Sequence, residues 1–275
     1  MRKLLLALCF LVTVVHAKPP LDQSGTQTQD IAFVARGAKS LSIRLLRPAN
    51  IGATPLPVVL YFHGGAWNRG SHQKLHPVLV ALARSGVAVA SVEFRSSNEA
   101  QFPAQLEDAR AAIGWVKDKA PLYGLSSQKI GVYGVSTGAQ LAGLLAFSGS
   151  NVRAACLQSA PCDLSSLAQG SRVRWNDSDS PLSAYLGSSP ASDREATRRA
   201  SPISYAGKNA PPTLLLAGSD DEFISCAQSK TLYQTLKKAG AKVEFIEFKG
   251  EGHNLKGVEA QVTSAVVAFF KRELA

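Results

Sequence analysis

Gly134-Val135-Ser136-Thr137-Gly138 follows the short apolar run Lys129 to Tyr133 and precedes the small-residue stretch Ala139 to Phe147. A strand leads in, a helix leads out, and Ser136 stands at the corner. Such a corner forces the serine backbone into a strained conformation and leaves room only for small neighbours, which the two glycines supply. The hydroxyl is then exposed above the sheet. The Thr137 amide, at the start of the following helix, points into the same space and can stabilise negative charge on an attacked carbonyl. The stretch predicts a nucleophile elbow in an α/β fold.

Outward from the corner, strands and helices alternate. Upstream, Val58 to Phe62 is a continuous apolar run, the sign of a strand buried on both faces, and it ends in His63-Gly64-Gly65. Leu75 to Arg84 reads as a helix and Val87 to Val92 as a strand. Ala104 to Lys119 reads as a longer helix, with Leu106, Ala109, Ile113 and Val116 at helical spacing. Ile130 to Tyr133 then enters the corner. Downstream come strand Ala154 to Gln158, strand Thr213 to Ala217, helix Ala227 to Ala239, strand Val243 to Phe248 and helix Val258 to Arg272. This rhythm implies right-handed crossovers and a mostly parallel sheet with helices on both faces. Asp163 to Tyr205, rich in Ser, Pro, Arg and Asp, interrupts it and is expected to form a partly helical cap beside the site. Near the start, Ile31 to Ala35 and Leu41 to Leu46 read as an antiparallel edge pair about a Gly37-Ala38 turn, preceded by a loose leader, Lys18 to Asp30.

A chain of 275 residues, 45% hydrophobic, can bury a sizeable core, and one large α/β domain over residues 18–275 is expected. Met1 to Ala17 carries Arg2 and Lys3, then an apolar run from Leu4 to Val15, then Val15-His16-Ala17. It reads as a secretory signal cleaved after Ala17, which implies a secreted or periplasmic protein. The run falls short of the about 20 apolar residues needed to span a membrane. Cys9 follows Leu8 rather than a small residue, which argues against a lipoprotein anchor. Without the signal, Cys156, Cys162 and Cys226 remain. In an oxidising compartment the expected arrangement is a Cys162 to Cys226 disulfide, with Cys156 a buried thiol. The net charge of +10 is scattered, with no aromatic-interleaved basic stretch, so no nucleic-acid partner is expected. The one basic cluster, Arg172, Arg174, Arg194, Arg198 and Arg199, lies in the cap excursion.

A serine hydroxyl is a weak nucleophile and needs a base, which in turn needs a carboxylate to hold its tautomer and stabilise its charge. In this type of sheet the chain order is Ser, acid, His. The one histidine after Ser136 is His253, in Gly250-Glu251-Gly252-His253-Asn254 directly after the last strand. The acid belongs after the preceding strand, in Gly218-Ser219-Asp220-Asp221-Glu222. Asp221 is the choice there, with Asp220 assigned to the turn itself and Asp163 as the outside candidate. His63-Gly64-Gly65-Ala66-Trp67 supplies the rest: glycines after a buried strand let main-chain amides of Gly64, Gly65 or Ala66 complete an oxyanion hole with Thr137. His63 is read as tying that loop down, and Trp67 as either walling an acyl pocket or packing in the core. His72 and His76 lack an accompanying carboxylate for zinc, and Gly65 to Gly70 lacks the lysine of a phosphate loop. No metal or organic cofactor is implied.

Together, HGGAWNRGS, FPAQLEDARAAIGWV, the elbow, GSDDEF and GEGHN resemble an α/β-hydrolase of the carboxylesterase group, near the hormone-sensitive-lipase-like esterases and most similar to the acetyl-xylan and feruloyl esterase-like (BD-FAE) branch. The resemblance covers nearly all of Val58 to Leu274. It implies Ser136, Asp221 and His253 in the triad roles, the His63-Gly64-Gly65 loop in the oxyanion role, and short-chain or carbohydrate-linked acyl esters as substrates. The family usually has alanine where Thr137 stands, so a branched side chain here narrows the expected acyl pocket. The same machinery serves amidases and prolyl-type peptidases, and a hydrolase-like fold can also persist as a non-catalytic binding module.

Overall fold

The structure is a computed structural model that describes residues 25–170 and 173–275. The proposed signal segment and Arg172 lie outside the described residues. The sheet begins with β1 (Thr26–Arg36), β2 (Lys39–Pro48) and β3 (Leu56–Phe62). After α1 (Pro77–Arg84) come β4 (Ala88–Val92), α2 (Ala104–Lys119), β5 (Leu125–Val135), α3 (Thr137–Phe147) and β6 (Ala154–Gln158). The excursion contributes α4 (Leu164–Gly170), α5 (Pro181–Leu186), α6 (Arg194–Arg199) and a 3₁₀ turn at Pro202–Tyr205. The chain closes with β7 (Thr213–Gly218), α7 (Ala227–Lys238), β8 (Val243–Phe248) and α8 (Glu259–Glu273).

The eight strands form one sheet in the order β1-β2-β4-β3-β5-β6-β7-β8. β1 and β2 are antiparallel to each other, β2 is antiparallel to β4, and all later pairs are parallel. This is the mostly parallel sheet expected from the alternation, in the α/β-hydrolase fold that the resemblance implies. Successive residues of the central strands face opposite sides. Leu60 and Phe62 join the apolar core under α2, α3 and α7, while Val59 and Tyr61 join the one under α1 and α8.

Two boundaries differ from the sequence reading for the same reason. β1 starts at Thr26, inside the expected leader, and Asp30 pairs with its cross-strand neighbour Arg44 through bonds of 2.8 and 2.6 Å. Polar residues on an edge strand carry no hydrophobic signal. β5 likewise starts at Leu125, whose partner is Leu56, through a polar stretch that sequence alone reads as loop.

α2 is fixed by charge as well as by its apolar face. The fully buried Asp108 carboxylate accepts Arg36 Nε at 2.6 Å and Arg95 Nε at 2.8 Å, so one helix side chain ties β1 to the loop after β4. The expected Cys162 to Cys226 disulfide is absent: Cys156, Cys162 and Cys226 are all free and buried. Cys162 sits in the core and donates to Ala160 O at 3.3 Å, while Cys226, at the start of α7, turns towards Glu247 on β8 at 3.6 Å.

Candidate active site

Ser136 adopts φ 56° and ψ −126°, between the last residue of β5 and the first of α3. Both elbow glycines are sterically required. A Cβ on Gly134 would lie 2.2 Å from Gly138 O, and one on Gly138 would lie 2.1 Å from Phe62 O. The Ser136 amide is spent on Gln158 O, at 2.8 Å, which anchors the corner to β6.

His253 Nε2 lies 2.9 Å from Ser136 Oγ, and its Nδ1 lies 2.6 Å from Asp221 Oδ2. The Asp221 side chain is fully buried and His253 is 14% exposed, so the imidazole alone reaches the open side of the site. The other Asp221 oxygen accepts the amides of Phe223 and Ile224 at 2.9 and 2.8 Å. A carboxylate only accepts, so Nδ1 carries the proton and Nε2 keeps its lone pair for the serine hydroxyl. The rival acids have other work. Asp220 accepts Ser219 Oγ, and its amide donates to Glu251 O, which closes the turn against the histidine loop. Asp163 accepts the Ser165 and Ser166 amides at the start of α4.

The glycine loop lies against the elbow: a Cβ on Gly64 would come within 2.9 Å of Ser136 Cβ. Gly65 has φ 139°, and Ala66 and Trp67 have φ 51° and 62°. Three successive residues at positive φ are unusual outside functional loops. Among the described residues, the Gly65, Ala66 and Thr137 amides donate to no protein acceptor. His63 holds the loop from below, bonding Gly64 O through Nδ1 at 2.8 Å and stacking on Phe94 at 4.7 Å. Burial pushes its imidazole below the usual histidine range, in keeping with a neutral structural group.

Trp67 is a core residue. It stacks on Tyr185 at 5.2 Å and meets Trp175 edge-on at 5.9 Å, so the excursion and the loop share one apolar cluster. Thr137 Oγ1 accepts the Trp67 amide at 3.4 Å, which gives the side chain that departs from alanine a contact of its own.

Two residues absent from the sequence reading complete the frame. Gln140 Oε1 accepts the Trp67 indole N–H at 3.1 Å, while its Nε2 donates to Tyr185 Oη at 3.1 Å and Ala200 O at 2.6 Å. Its signal was present: it is the lone amide side chain in a helix otherwise made of apolar and small residues, and a buried amide needs partners. Ser159, at φ 50°, donates its hydroxyl to His253 O at 2.9 Å. Nothing in the sequence marks it.

In the basic cluster of the excursion, Arg174 pairs with Asp177, Arg198 pairs with Glu195, and Arg199 lies over the Phe102 ring.

The BD-FAE family model matches residues 44–236, which is most of the chain and includes the glycine loop, the elbow and the acid loop. The chain belongs to the BD-FAE family. Among curated relatives, this BD-FAE chain is 27% identical to Esterase LipQ of Mycobacterium tuberculosis over 273 residues, covering 94% of the chain and 64% of that protein. It thus spans less than two thirds of that relative's length. Among solved structures, a truncated carbohydrate esterase from gut microbiota superposes with TM-score 0.82 at 24% identity, covering 94% of this chain and 99% of that one. A bacterial heroin esterase gives TM-score 0.78 at 25% identity, covering 91% and 85%. Among the described residues, no helix of this BD-FAE protein is long and apolar enough to cross a membrane.

Proposed function

We propose that the protein is a serine carboxylesterase that cleaves short-chain or carbohydrate-linked acyl esters through an acyl-enzyme on Ser136. The observation that carries this reading is the unbroken hydrogen-bond chain from Ser136 Oγ through His253 to Asp221, beside a loop whose amides are uncommitted. His253 Nε2 takes the Ser136 proton as Oγ attacks the acyl carbon. The carbonyl oxygen becomes an oxyanion and accepts the Thr137 amide together with amides of the Gly64, Gly65 and Ala66 loop, each such donor being worth about 3 kcal/mol in the transition state. Asp221 stabilises the imidazolium. His253 then gives the proton to the departing alcohol. A water attacks the acyl-enzyme, passes its proton to His253, and the carboxylic acid leaves as Ser136 is regenerated.

The esterase names of the relatives support the reaction class, and the N-terminal segment supports secretion or a periplasmic location. The test is hydrolysis of p-nitrophenyl acetate by the purified protein and by Ser136→Ala. The variant should lose activity by about 10⁴-fold or more. Equal turnover in both proteins would remove the reading. A matched p-nitroanilide should be turned over far more slowly than the ester, and the reverse order would assign the machinery to amides.

A further inference from the structure

Behind the catalytic corner, on the α1 and α8 side of the sheet, lies a second cavity of about 400 Å³, within the size range of small-molecule sites. It is separated from the triad by one residue on each side: Val135 precedes Ser136, Asn254 follows His253, and both line it. Two buried donors face it. Tyr61 is 1% exposed and Gln158 is 7% exposed. Gln158 Oε1 accepts Tyr133 Oη at 2.7 Å, yet among the described residues neither Gln158 Nε2 nor the Tyr61 hydroxyl has a hydrogen-bond partner. Neither atom is among the sealed, unpartnered polar atoms of the described residues, so both are reached from the cavity, where a bound group can supply the acceptor.

The surroundings narrow the choice. α1 directs its N-terminal end at the cavity through His76, Pro77 and Val78, which favours negative charge. Exposed Lys74 and Lys256 stand at the rim against the one carboxylate there, Glu259. Val135, Leu255 and Val262 add apolar surface to the wall, beside the polar Asn254 and Thr263. Buried donors, a basic rim and apolar side chains along the wall suit a small amphiphilic anion.

We infer that this cavity binds a short-chain aliphatic carboxylate, with its carboxylate on the Tyr61 hydroxyl and the Gln158 amide and its alkyl chain along Val135 and Leu255. The site stands on the cavity geometry. Only its use, retention of the acid that the reaction releases, rests on the esterase reading. Occupancy would press on the segment that carries His253.

The experiment titrates butyrate by calorimetry into protein whose Ser136 has been blocked with paraoxon, so that the catalytic pocket cannot be the binding site. Butyrate should still bind, Tyr61→Phe should weaken binding by about tenfold or more without lowering the melting temperature, and 1-butanol should bind far more weakly. The double variant Lys74→Ala/Lys256→Ala, changed only at the exposed rim, should also weaken butyrate, and it stands in if Tyr61→Phe does not fold. No binding to blocked protein, unchanged binding in the variants, or equal binding of 1-butanol would overturn the site and leave water as its occupant. Failure of paraoxon to modify Ser136 would count against the esterase reading alone, and the same variants would then be titrated unblocked.

Discussion

At the scale of single residues, the site is specified by which atoms each acid leaves free. Asp221 and Asp220 are chemically identical neighbours, but only Asp221 is buried and reaches His253, while Asp220 is engaged by Ser219 and the turn. Asp221→Asn should therefore lower kcat by about 10⁴-fold, as expected when the imidazole loses its tautomer and its counter-charge. Asp220→Asn should cost less than about tenfold, since a turn contact contributes only about 1 kcal/mol. Parallel kinetics on p-nitrophenyl acetate distinguish the two, and a reversed order would move the acid. Ser159→Ala tests the subtler contact. Losing its bond to His253 O should remove about 1 kcal/mol of stability in urea unfolding and lower kcat several-fold, with KM little changed.

At the scale of elements, α3 connects the corner to the excursion. The amide of its first residue, Thr137, has no protein acceptor among the described residues, and one turn on, Gln140 gathers the glycine loop through Trp67 and the excursion through Tyr185 and Ala200. Gln140→Leu keeps the volume but strands an indole N–H, a phenol and a carbonyl in the interior. The expected loss is about 3 kcal/mol or more. Because Trp67 follows Ala66 directly, activity should fall further than stability explains. Urea unfolding together with kcat measured well below the transition checks this: a stability loss with full activity in the folded fraction would make Gln140 a packing residue only. The helix pattern of α3 was visible in sequence, but its partners were not, because they lie in two segments that only folding brings together.

At the scale of the whole molecule, two kinds of buried polar chemistry set stability. Asp108 bridges Arg36 and Arg95, and Glu107 lies 3.3 Å from Arg95 as a second acid. Asp108→Ala should destabilise the protein by about 3–5 kcal/mol, because the partly buried Arg36 loses its counter-charge and Arg95 keeps only the exposed Glu107. Thermal or urea unfolding reads this directly, and a loss below about 1 kcal/mol would show the arginines re-solvated. The free thiols give a pH dependence. Burial pushes the Cys226 thiol up to about 11 from the usual value near 9, and lifts Cys156 and Cys162 further. Between those values the unfolded chain releases thiol protons that the folded chain retains, so this contribution is full below pH 9 and is lost as pH rises above it. The melting temperature should fall between pH 9 and pH 11, and less steeply in Cys226→Ser. Thiol titration of denatured, unreduced protein should find Cys156, Cys162 and Cys226 all reactive. A shortfall of two would restore the disulfide.

The sequence by itself determined the order of elements, the corner at Ser136, and the loops that carry His253, Asp221 and the glycines after β3. Each of these depends on local requirements: apolar periodicity, a backbone conformation that demands small neighbours, and a fixed chain order along a parallel sheet. What only the tertiary structure decided are matters of who faces whom. These include the contact of Asp221 with His253, the free state of Cys162 and Cys226, the clamp at Gln140, the support from Ser159, and the polar edge strand that begins at Thr26. A hydrogen bond spanning 117 residues, such as His253 to Ser136, leaves no periodic trace in the chain. Its partners are selected by the geometry of the sheet edge, where segments distant in sequence are held within one bond length of each other.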